Sequence, residues 1–361
     1  DAFKTENDGA TITLLKDVTR TQYLLIRINC TLDLGGHTIF GNLDVSDYIL
    51  TIVGKNVTIQ GDGGISGIGD AQVLQTSGNV IIKGGTFSCE SGNCIFVTGS
   101  NASLSITDPK VRVENTGGYG LCIGNASSSV QLSSGTFFGV AGAIFINGSN
   151  AFTLGDLLGH SSDTRYAYFK DTSTTPIPDV LGDKLLTDTV TVGECMHDKS
   201  VCAYTPNEGA DTHAMTCRAC GLEGAVEDCQ LTYTSNETQH TAACETCGRS
   251  RTEEHSYGSW TPQHNGLSVT IRRICENCKY TKTDGTFTVL APGQTMQYGT
   301  PITLTCTSTL PGATFQWELK NDANMSTVQK STGDSFTLPE TLAVGRYNCE
   351  ISVTWSGTGG N

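Results

Sequence analysis

The chain has 361 residues, with 22 Lys and Arg against 36 Asp and Glu, 42 Gly and 15 Cys. At roughly 100 to 200 residues per domain this length indicates two to four domains, and 37% hydrophobic residues are enough to fill ordinary cores. A formal net charge of -14 repels phosphate backbones and anionic lipid, so we expect no nucleic-acid partner. The sequence contains no apolar run of about 18 residues, so we expect no membrane insertion.

The first half of the chain carries an internal repeat of short β-rich runs. These runs follow one another at intervals of 25, 23, 24, 26 and 22 residues: Leu32-Asp-Leu, Val57-Thr-Ile, Val80-Ile-Ile, Leu104-Ser-Ile, Val130-Gln-Leu and Phe152-Thr-Leu. A second set of runs interleaves at the same spacing, and Gly, Asn, Ser and Asp separate the two sets, as turns require. A period near 23 predicts a parallel β-helix of six or seven coils over residues 1–175.

Two of these segments, TLDLGGHTI from Thr31 and IIKGGTF from Ile81, resemble right-handed β-helix proteins of the pectin-lyase-like group. The resemblance covers roughly residues 1–172 and implies a right-handed coil. It also raises an alternative function, that of a polysaccharide lyase or glycoside hydrolase with clustered Asp and a basic residue on one outer face. The sequence places no such cluster at coil spacing. We interpret the available ionisable residues as solvated turn residues: Asp62, Asp70, Asp108, Lys110, Arg112, His160 and Arg165.

Other side chains of the solenoid have simpler interpretations. We expect three aromatic residues to be exposed and able to contact glycans: Tyr119, Phe137 and Phe138. Cys30 and Cys122 lie in apolar strands and are predicted to be buried free thiols. Cys89 and Cys94 are close enough in sequence to bridge a turn.

A Cys/His pattern with a period of 27 residues begins at Cys202. The first copy is Cys202-x10-His213-x3-Cys217-x2-Cys220, and the second is Cys229-x10-His240-x3-Cys244-x2-Cys247. A looser third copy is His255-x8-His264-x10-Cys275-x2-Cys278. Two thiolates of a Cys-x-x-Cys turn can point at one ion, and two upstream ligands complete a tetrahedron. These donors favour Zn²⁺, about three per chain, and closed four-ligand sets indicate structural rather than catalytic zinc.

Two alternatives to this assignment remain open. The cysteines form disulfides in the first, which leaves the repeated His positions unexplained. The second shifts the phase, so that His213, Cys217, Cys220 and Cys229 form one site and His240, Cys244, Cys247 and His255 another. Cys195 and His197 lie outside every set.

The stretch from His255 to Trp260, HSYGSW, resembles repeats in secreted multidomain surface proteins of gut Gram-positive bacteria. The resemblance covers roughly residues 193–283, which we assign to the zinc-binding repeats. Residues 176–192 are predicted to be a linker between these repeats and the solenoid.

Residues 284–361 alternate as short strands predict. The spacing Cys306-x10-Trp317, with Tyr347 two positions before Cys349, resembles the immunoglobulin fold. That resemblance implies a β-sandwich in which a Cys306–Cys349 disulfide covers a buried Trp, and the bridge would imply maturation in an oxidising compartment.

From these regions we predict a mainly β, monomeric, non-catalytic extracellular protein, secreted or attached to the cell surface, that contacts a glycan or a host protein. The alternative is a carbohydrate-active enzyme on the solenoid face. The chain begins without a signal peptide and ends without an anchor motif, so we expect a trimmed piece of a longer surface protein.

Overall fold

The computed structural model describes residues 2–43, 47–149, 151–171, 173–290 and 299–356. Nearly all regular structure in these ranges is β-strand. Short 3-10 helices occur at Thr5–Asn7, Gly155–Leu157 and Lys199–Val201. No helix of the described residues is both long and apolar enough to cross a membrane. The chain divides into two compact units, Asp1–Asp228 and Cys229–Asn361.

The strands of the first unit are short, mostly three to five residues, and are numbered in chain order. They are β1 Thr11–Thr13, β2 Val18–Arg20, β3 Leu24–Ile26, β4 Cys30–Asp33, β5 Thr38–Gly41, β6 Tyr48–Ile52, β7 Asn56–Gln60, β8 Gly64–Gly67, β9 Gln72–Thr76, β10 Asn79–Lys83, β11 Thr86–Cys89, β12 Asn93–Val97, β13 Ser103–Ile106, β14 Arg112–Asn115, β15 Tyr119–Ile123, β16 Ser129–Leu132, β17 Thr136–Gly139, β18 Gly142–Ile146, β19 Tyr166–Lys170, β20 Leu185–Leu186, β21 Val190–Glu194, β22 Cys202–Pro206, β23 Thr212–Cys217 and β24 Glu223–Asp228.

Strands β1 to β18 form a solenoid of about six turns, in which each turn gives one strand to each of three parallel sheets. The first sheet has the order β1-β4-β7-β10-β13-β16, the second contains β2-β5-β8-β11-β14-β17, and the third contains β3-β6-β9-β12-β15-β18. The predicted parallel β-helix is therefore confirmed.

Stacked apolar side chains fill the interior of this solenoid. In the first sheet, register alignment places Leu32, Ile59, Ile82, Ile106 and Leu132 in one inward column. The second sheet adds a column of Ile39, Ile65, Phe87, Val113 and Phe137. All of these side chains are buried. Each turn thus buries its apolar face against its neighbours, as a repeat that cannot form its own core must. The prediction that Phe137 is exposed is wrong, because this side chain belongs to the inward column of the second sheet.

Antiparallel strands close the end of the solenoid that follows β18. Strand β20 pairs with β18, and β21 pairs with both β17 and β19. Residues 176–192, predicted to be a linker, therefore hold one capping strand and the start of another. Capping satisfies backbone groups that an open sheet edge would expose.

The first unit also holds a three-stranded antiparallel hairpin sheet, β22-β23-β24. The described strands of the second unit are β25 Leu231–Ser235, β26 Gln239–Cys244, β27 Ser250–Glu254, β28 Thr261–Asn265, β29 Ser268–Ile274, β30 Thr281–Leu290, β31 Thr303–Ser308, β32 Thr314–Asn321, β33 Thr327–Thr332, β34 Ser335–Thr337 and β35 Tyr347–Thr354. They form the sheet β25-β26-β27 and two sheets of the C-terminal region, β28-β29-β30-β31-β34 and β33-β32-β35.

The two C-terminal sheets share a core around Trp317, which is 1% exposed. The Trp317 ring stacks on Phe336 with 5.6 Å between centroids, and its Nε1 donates to the carbonyl of Gly333 at 2.8 Å. The Tyr347 hydroxyl donates to the carbonyl of Ala343 at 2.9 Å. Strand β30 runs across the predicted boundary at residue 283, so the third Cys/His hairpin is continuous with these sheets.

The structure contains no disulfide among the described cysteines. The expected Cys306–Cys349 bridge is therefore wrong for this structure. Cys306 is buried in the core, whereas Cys349 lies exposed on β35 opposite Leu319. The argument for an oxidising compartment falls with the bridge.

Candidate metal centres

Each of the three Cys-x-x-Cys segments forms the same tight turn at the end of a hairpin strand. The N–H of the first cysteine donates to the carbonyl five residues on, and the N–H four residues on donates back to that cysteine's carbonyl. These pairs are Cys217 to Leu222 at 2.9 Å and Gly221 to Cys217 at 2.8 Å, Cys244 to Arg249 at 2.8 Å and Gly248 to Cys244 at 2.9 Å, and Cys275 to Tyr280 at 2.9 Å and Lys279 to Cys275 at 3.0 Å. The three turns are therefore equivalent knuckles.

Backbone N–H groups of these knuckles also stabilise the thiolate form of the first cysteine. The N–H of Cys247 is the largest cause that lowers the pKa of Cys244 to about 6. Burial raises the pKa of Cys275, but N–H groups of Cys278 and Asn277 and the His255 ring lower it to about 6 overall. Since the thiolate is the form that binds metal, the N–H groups of the turn favour the protonation state of the cysteine that can bind a metal ion.

The first cluster combines Cys195, Cys217 and Cys220, whose sulfur atoms lie within 4.8 Å of one another. All three side chains are buried, and the Sγ atoms of Cys195 and Cys217 are 3.7 Å apart. Cys195 directly follows capping strand β21, so this cluster joins the end of the solenoid to the first knuckle.

The second cluster brings Cys229, Cys244 and Cys247 together in the second unit, again with sulfur atoms within 4.8 Å of one another. The Sγ atoms of Cys229 and Cys247 are 3.7 Å apart. Cys229 precedes β25, and the other two cysteines belong to the knuckle after β26.

The third cluster has four potential ligands: His240, His255, Cys275 and Cys278. The Nδ1 atom of His255 is 3.4 Å from the sulfur of Cys278, and the Nδ1 atom of His240 is 3.9 Å from the sulfur of Cys275. His240 lies on β26 and Cys275 follows β29, so the cluster links two successive hairpins.

Distances within the clusters fit a tetrahedral metal site better than a disulfide. Zn–S bonds of about 2.3 Å place two sulfur ligands about 3.8 Å apart, and a sulfur and a nitrogen ligand about 3.6 Å apart. The observed S–S separations are 3.7 Å, whereas a disulfide bond is about 2.05 Å long. The three clusters can therefore each hold a metal ion.

Each imidazole in the third cluster has a polar group on the side of its Nε2 atom. The Nε2 atom of His255 lies 2.8 Å from the carbonyl oxygen of Asn236, to which its N–H can donate. The Nε2 atom of His240, a fully buried side chain, has the Glu253 carboxylate at 3.6 Å. In both residues Nδ1 is left facing the cysteines, which is how outer partners select the metal-binding nitrogen.

The structure groups the predicted ligands differently from the 27-residue pattern. His240 and Cys244 occupy the same extended strand four residues apart, which separates their Cα atoms by about 13 Å. They therefore serve different clusters, and the same spacing separates His213 from Cys217 on β23. His213 is buried with its Nε2 3.8 Å from Glu227, and the first cluster contains Cys195 where His213 was expected.

Three further residues complete the comparison with the predicted sets. His264 lies exposed on β28, outside the third cluster. His240 belongs to that cluster instead. Cys202 lies beside the first cluster without being among its three members. The shifted phasing places His240 with His255, as the structure does, but joins them to Cys244 and Cys247 instead of Cys275 and Cys278. Sequence reasoning missed Cys195, and its only signal was an odd thiol directly before the first repeat.

Seven carboxylates of the solenoid make contacts within the structure. Asp62 pairs with Lys110 at 3.1 Å, and Glu114 pairs with Arg112 at 3.1 Å, all with exposed side chains. Several others accept backbone N–H groups at turns, namely Asp8, Asp17, Asp33, Asp108 and Glu90. The contacts of Asp62, Asp108, Lys110 and Arg112 agree with their interpretation as turn residues.

The outer face of the third sheet carries aromatic side chains. Phe96, Cys122 and Phe145 follow one another in an outward column, by strand register. Tyr119 stacks on Phe145 with 4.5 Å between ring centroids, and all three aromatic rings are half-buried. This arrangement leaves part of each ring open to solvent on one face of the solenoid.

Compared with protein-family models, curated proteins and solved structures, the chain matches none of them. The assignment of function therefore depends on the chemistry of these clusters and surfaces.

Proposed function

We propose that this is a non-catalytic extracellular protein that contacts glycans through the outer face of the third solenoid sheet and is held together by structural zinc. The observation that carries the proposal is the half-buried aromatic face of Phe96, Tyr119 and Phe145. Aromatic rings with an open face and a fixed orientation suit the apolar faces of sugar rings. The rigid coil below keeps the rings in place, which lowers the entropic cost of binding.

Zinc is the metal that best suits the donor sets. Thiolate and imidazole ligands are soft or borderline and disfavour Ca²⁺ and Mg²⁺. The third cluster supplies four protein ligands, which leaves no coordination position for a substrate and indicates a structural role. Elemental analysis of protein purified without added metal is expected to give about three zinc ions per chain.

An extracellular location, secreted or at the cell surface, is supported by the resemblance of residues 193–283 to repeats of secreted bacterial surface proteins. The immunoglobulin-like assignment of residues 284–361 is supported by Trp317 in the core and by the Tyr347–Ala343 hydrogen bond. Such a domain would serve as a spacer or as a second contact surface.

A glycan array followed by calorimetric titration of the best binder tests the proposal on the whole chain. The double variant Tyr119→Ala, Phe145→Ala is expected to lose at least tenfold in affinity. Ile81→Ala removes an exposed apolar side chain from β10 in the first sheet and serves as the matched control. Equal affinity of the double variant and the parent would overturn the proposal, as would binding confined to host proteins.

A further inference from the structure

We infer that Cys202 is the fourth ligand of the first cluster, which then becomes a site of four thiolates. The inference rests on the metal proposed above, and it concerns the donor set of one site rather than the contact surface. It adds Cys195, which lies outside the repeat pattern, to Cys202, Cys217 and Cys220, which the pattern already groups.

The position of Cys202 in the first hairpin sheet supports this role. Cys202 on β22 lies directly opposite Cys217 on β23 in the antiparallel pair. Residues directly opposite each other in such a pair point to the same face, with Cβ atoms about 5 Å apart. Cys202 also packs against the buried group of Cys195, Cys217 and Cys220. Its thiol donates to the carbonyl of His197 at 3.5 Å, a contact that would be exchanged for the metal.

Equivalent positions in the other hairpins provide a second, independent argument. Cys229 is in the second cluster and precedes Cys244 by 15 residues, and Cys202 precedes Cys217 by the same number. In the third cluster the ligand ahead of the hairpin is His255. Each knuckle thus has a ligand from the start of its own hairpin, and Cys202 is that ligand for the first knuckle.

The remaining ligand comes from the element before the hairpin. For the third knuckle it is His240, on a strand of the preceding hairpin. The first knuckle has no hairpin before it, and Cys195 at the end of β21 occupies this place. The two sites therefore differ in chemistry, with four sulfur donors in the first and two sulfur and two nitrogen donors in the third. The first should be the site that retains a soft ion such as Cd²⁺ most strongly.

Substitution of Cys202 in the full chain tests the inference by metal content and by the thiolate-to-metal absorption of Co²⁺-loaded protein. After dialysis against a weak chelator, Cys202→Ser is expected to hold one metal ion fewer than the parent, or to bind it at least tenfold more weakly. Cys202→His is expected to keep the ion, because His255 fills the equivalent position, and to lose part of the thiolate absorption. Cys122→Ser, a buried solenoid cysteine outside the clusters, is the matched control.

The outcomes separate the two proposals. A parent protein without bound metal refutes the zinc proposal itself. A parent with metal and a Cys202→Ser variant with the same metal content and absorption overturns the assignment of Cys202 alone. If Cys202→Ser does not fold, Cys202→His decides, because unchanged thiolate absorption in that variant also excludes Cys202 as a ligand.

Discussion

Lys279 adopts the left-handed backbone conformation that glycine adopts in the two equivalent knuckles. Its φ is 62°, against 70° for Gly221 and 72° for Gly248. A side chain with a Cβ atom is disfavoured in this region, and glycine is not. The third knuckle therefore carries a backbone cost that the first two avoid.

We predict that Lys279→Gly stabilises the protein by about 1 kcal/mol, because it removes this cost. The free energy of unfolding of the second unit, measured in urea with metal present, checks the prediction. Lys279→Ala is the matched control, since it removes the hydrogen bond from Nζ to the Glu276 carbonyl but keeps the Cβ atom. Equal stability of the Gly and Ala variants would contradict this explanation.

The two histidines assigned to different places by sequence and structure give a second prediction. His240→Ala should abolish metal binding at the third cluster, because it removes one of that cluster's four potential ligands. His264→Ala should leave the metal content unchanged, because that side chain is exposed on β28. Metal content per chain by mass spectrometry under non-denaturing conditions distinguishes the two variants. Loss of metal from His264→Ala would support the sequence-based set instead.

The sequence indicates the residue types that form the clusters. It is less informative about which of these residues share one cluster. Regular spacing indicates His240 and the Cys-x-x-Cys turns, but a repeat has the same spacing whichever neighbour shares the metal. Strand geometry resolves this ambiguity, since a histidine four residues along an extended strand cannot reach the same ion as Cys244. Cys195 was not predicted because it lies outside the repeat. It takes the place of the ligand that a preceding hairpin supplies to the third cluster.

Two kinds of element in this chain obtain stability from different sources. In the solenoid each coil adds a layer of buried apolar side chains, as Phe87 does between Ile65 and Val113. In the β25-β26-β27 hairpin sheet the buried residues of 229–254 are His240, Ala242 and Cys244, two of which belong to clusters that can hold a metal ion. The solenoid was predictable from sequence because its period repeats the hydrophobic layer. The hairpins were not predictable in detail because so few apolar residues define them.

Phe87→Ala is expected to destabilise the solenoid by about 3–5 kcal/mol, because it removes a fully buried ring and leaves a cavity between two layers. Ile81→Ala, on the outer face of β10, should cost less than about 1 kcal/mol. Urea denaturation followed by far-UV circular dichroism compares the two. Similar losses for both variants would argue against a continuous interior column.

At the scale of the whole chain, the solenoid core and the candidate metal clusters occupy different segments. The solenoid core extends from Ile26 to Val192, whereas the three clusters lie between Cys195 and Cys278. Metal-binding free energy is folding free energy where ligands form the core. Stability toward a chelator should therefore differ sharply along the chain.

We expect a strong chelator to unfold the β25-β26-β27 hairpin while the solenoid stays folded. Limited proteolysis with mass spectrometry should then show new cleavage within residues 229–254 and continued protection of residues 47–149. Added Zn²⁺ should restore resistance, which controls for a direct effect of the chelator. Cleavage that begins in the solenoid would contradict this order.

The position of Cys195 has a mechanical consequence if the chain is placed under tension. A metal ion bound to both sulfur atoms would connect Cys195 to Cys217, which lies 22 residues further along the chain. A pulling force then bypasses the intervening hairpin strands, and about 75 Å of extended chain stays concealed until a metal–sulfur bond breaks. The metal–sulfur bond of the first cluster would thus break before the solenoid unfolds. The chain released in this way would extend and lower the force on the coils, and the bond could form again once the tension ends.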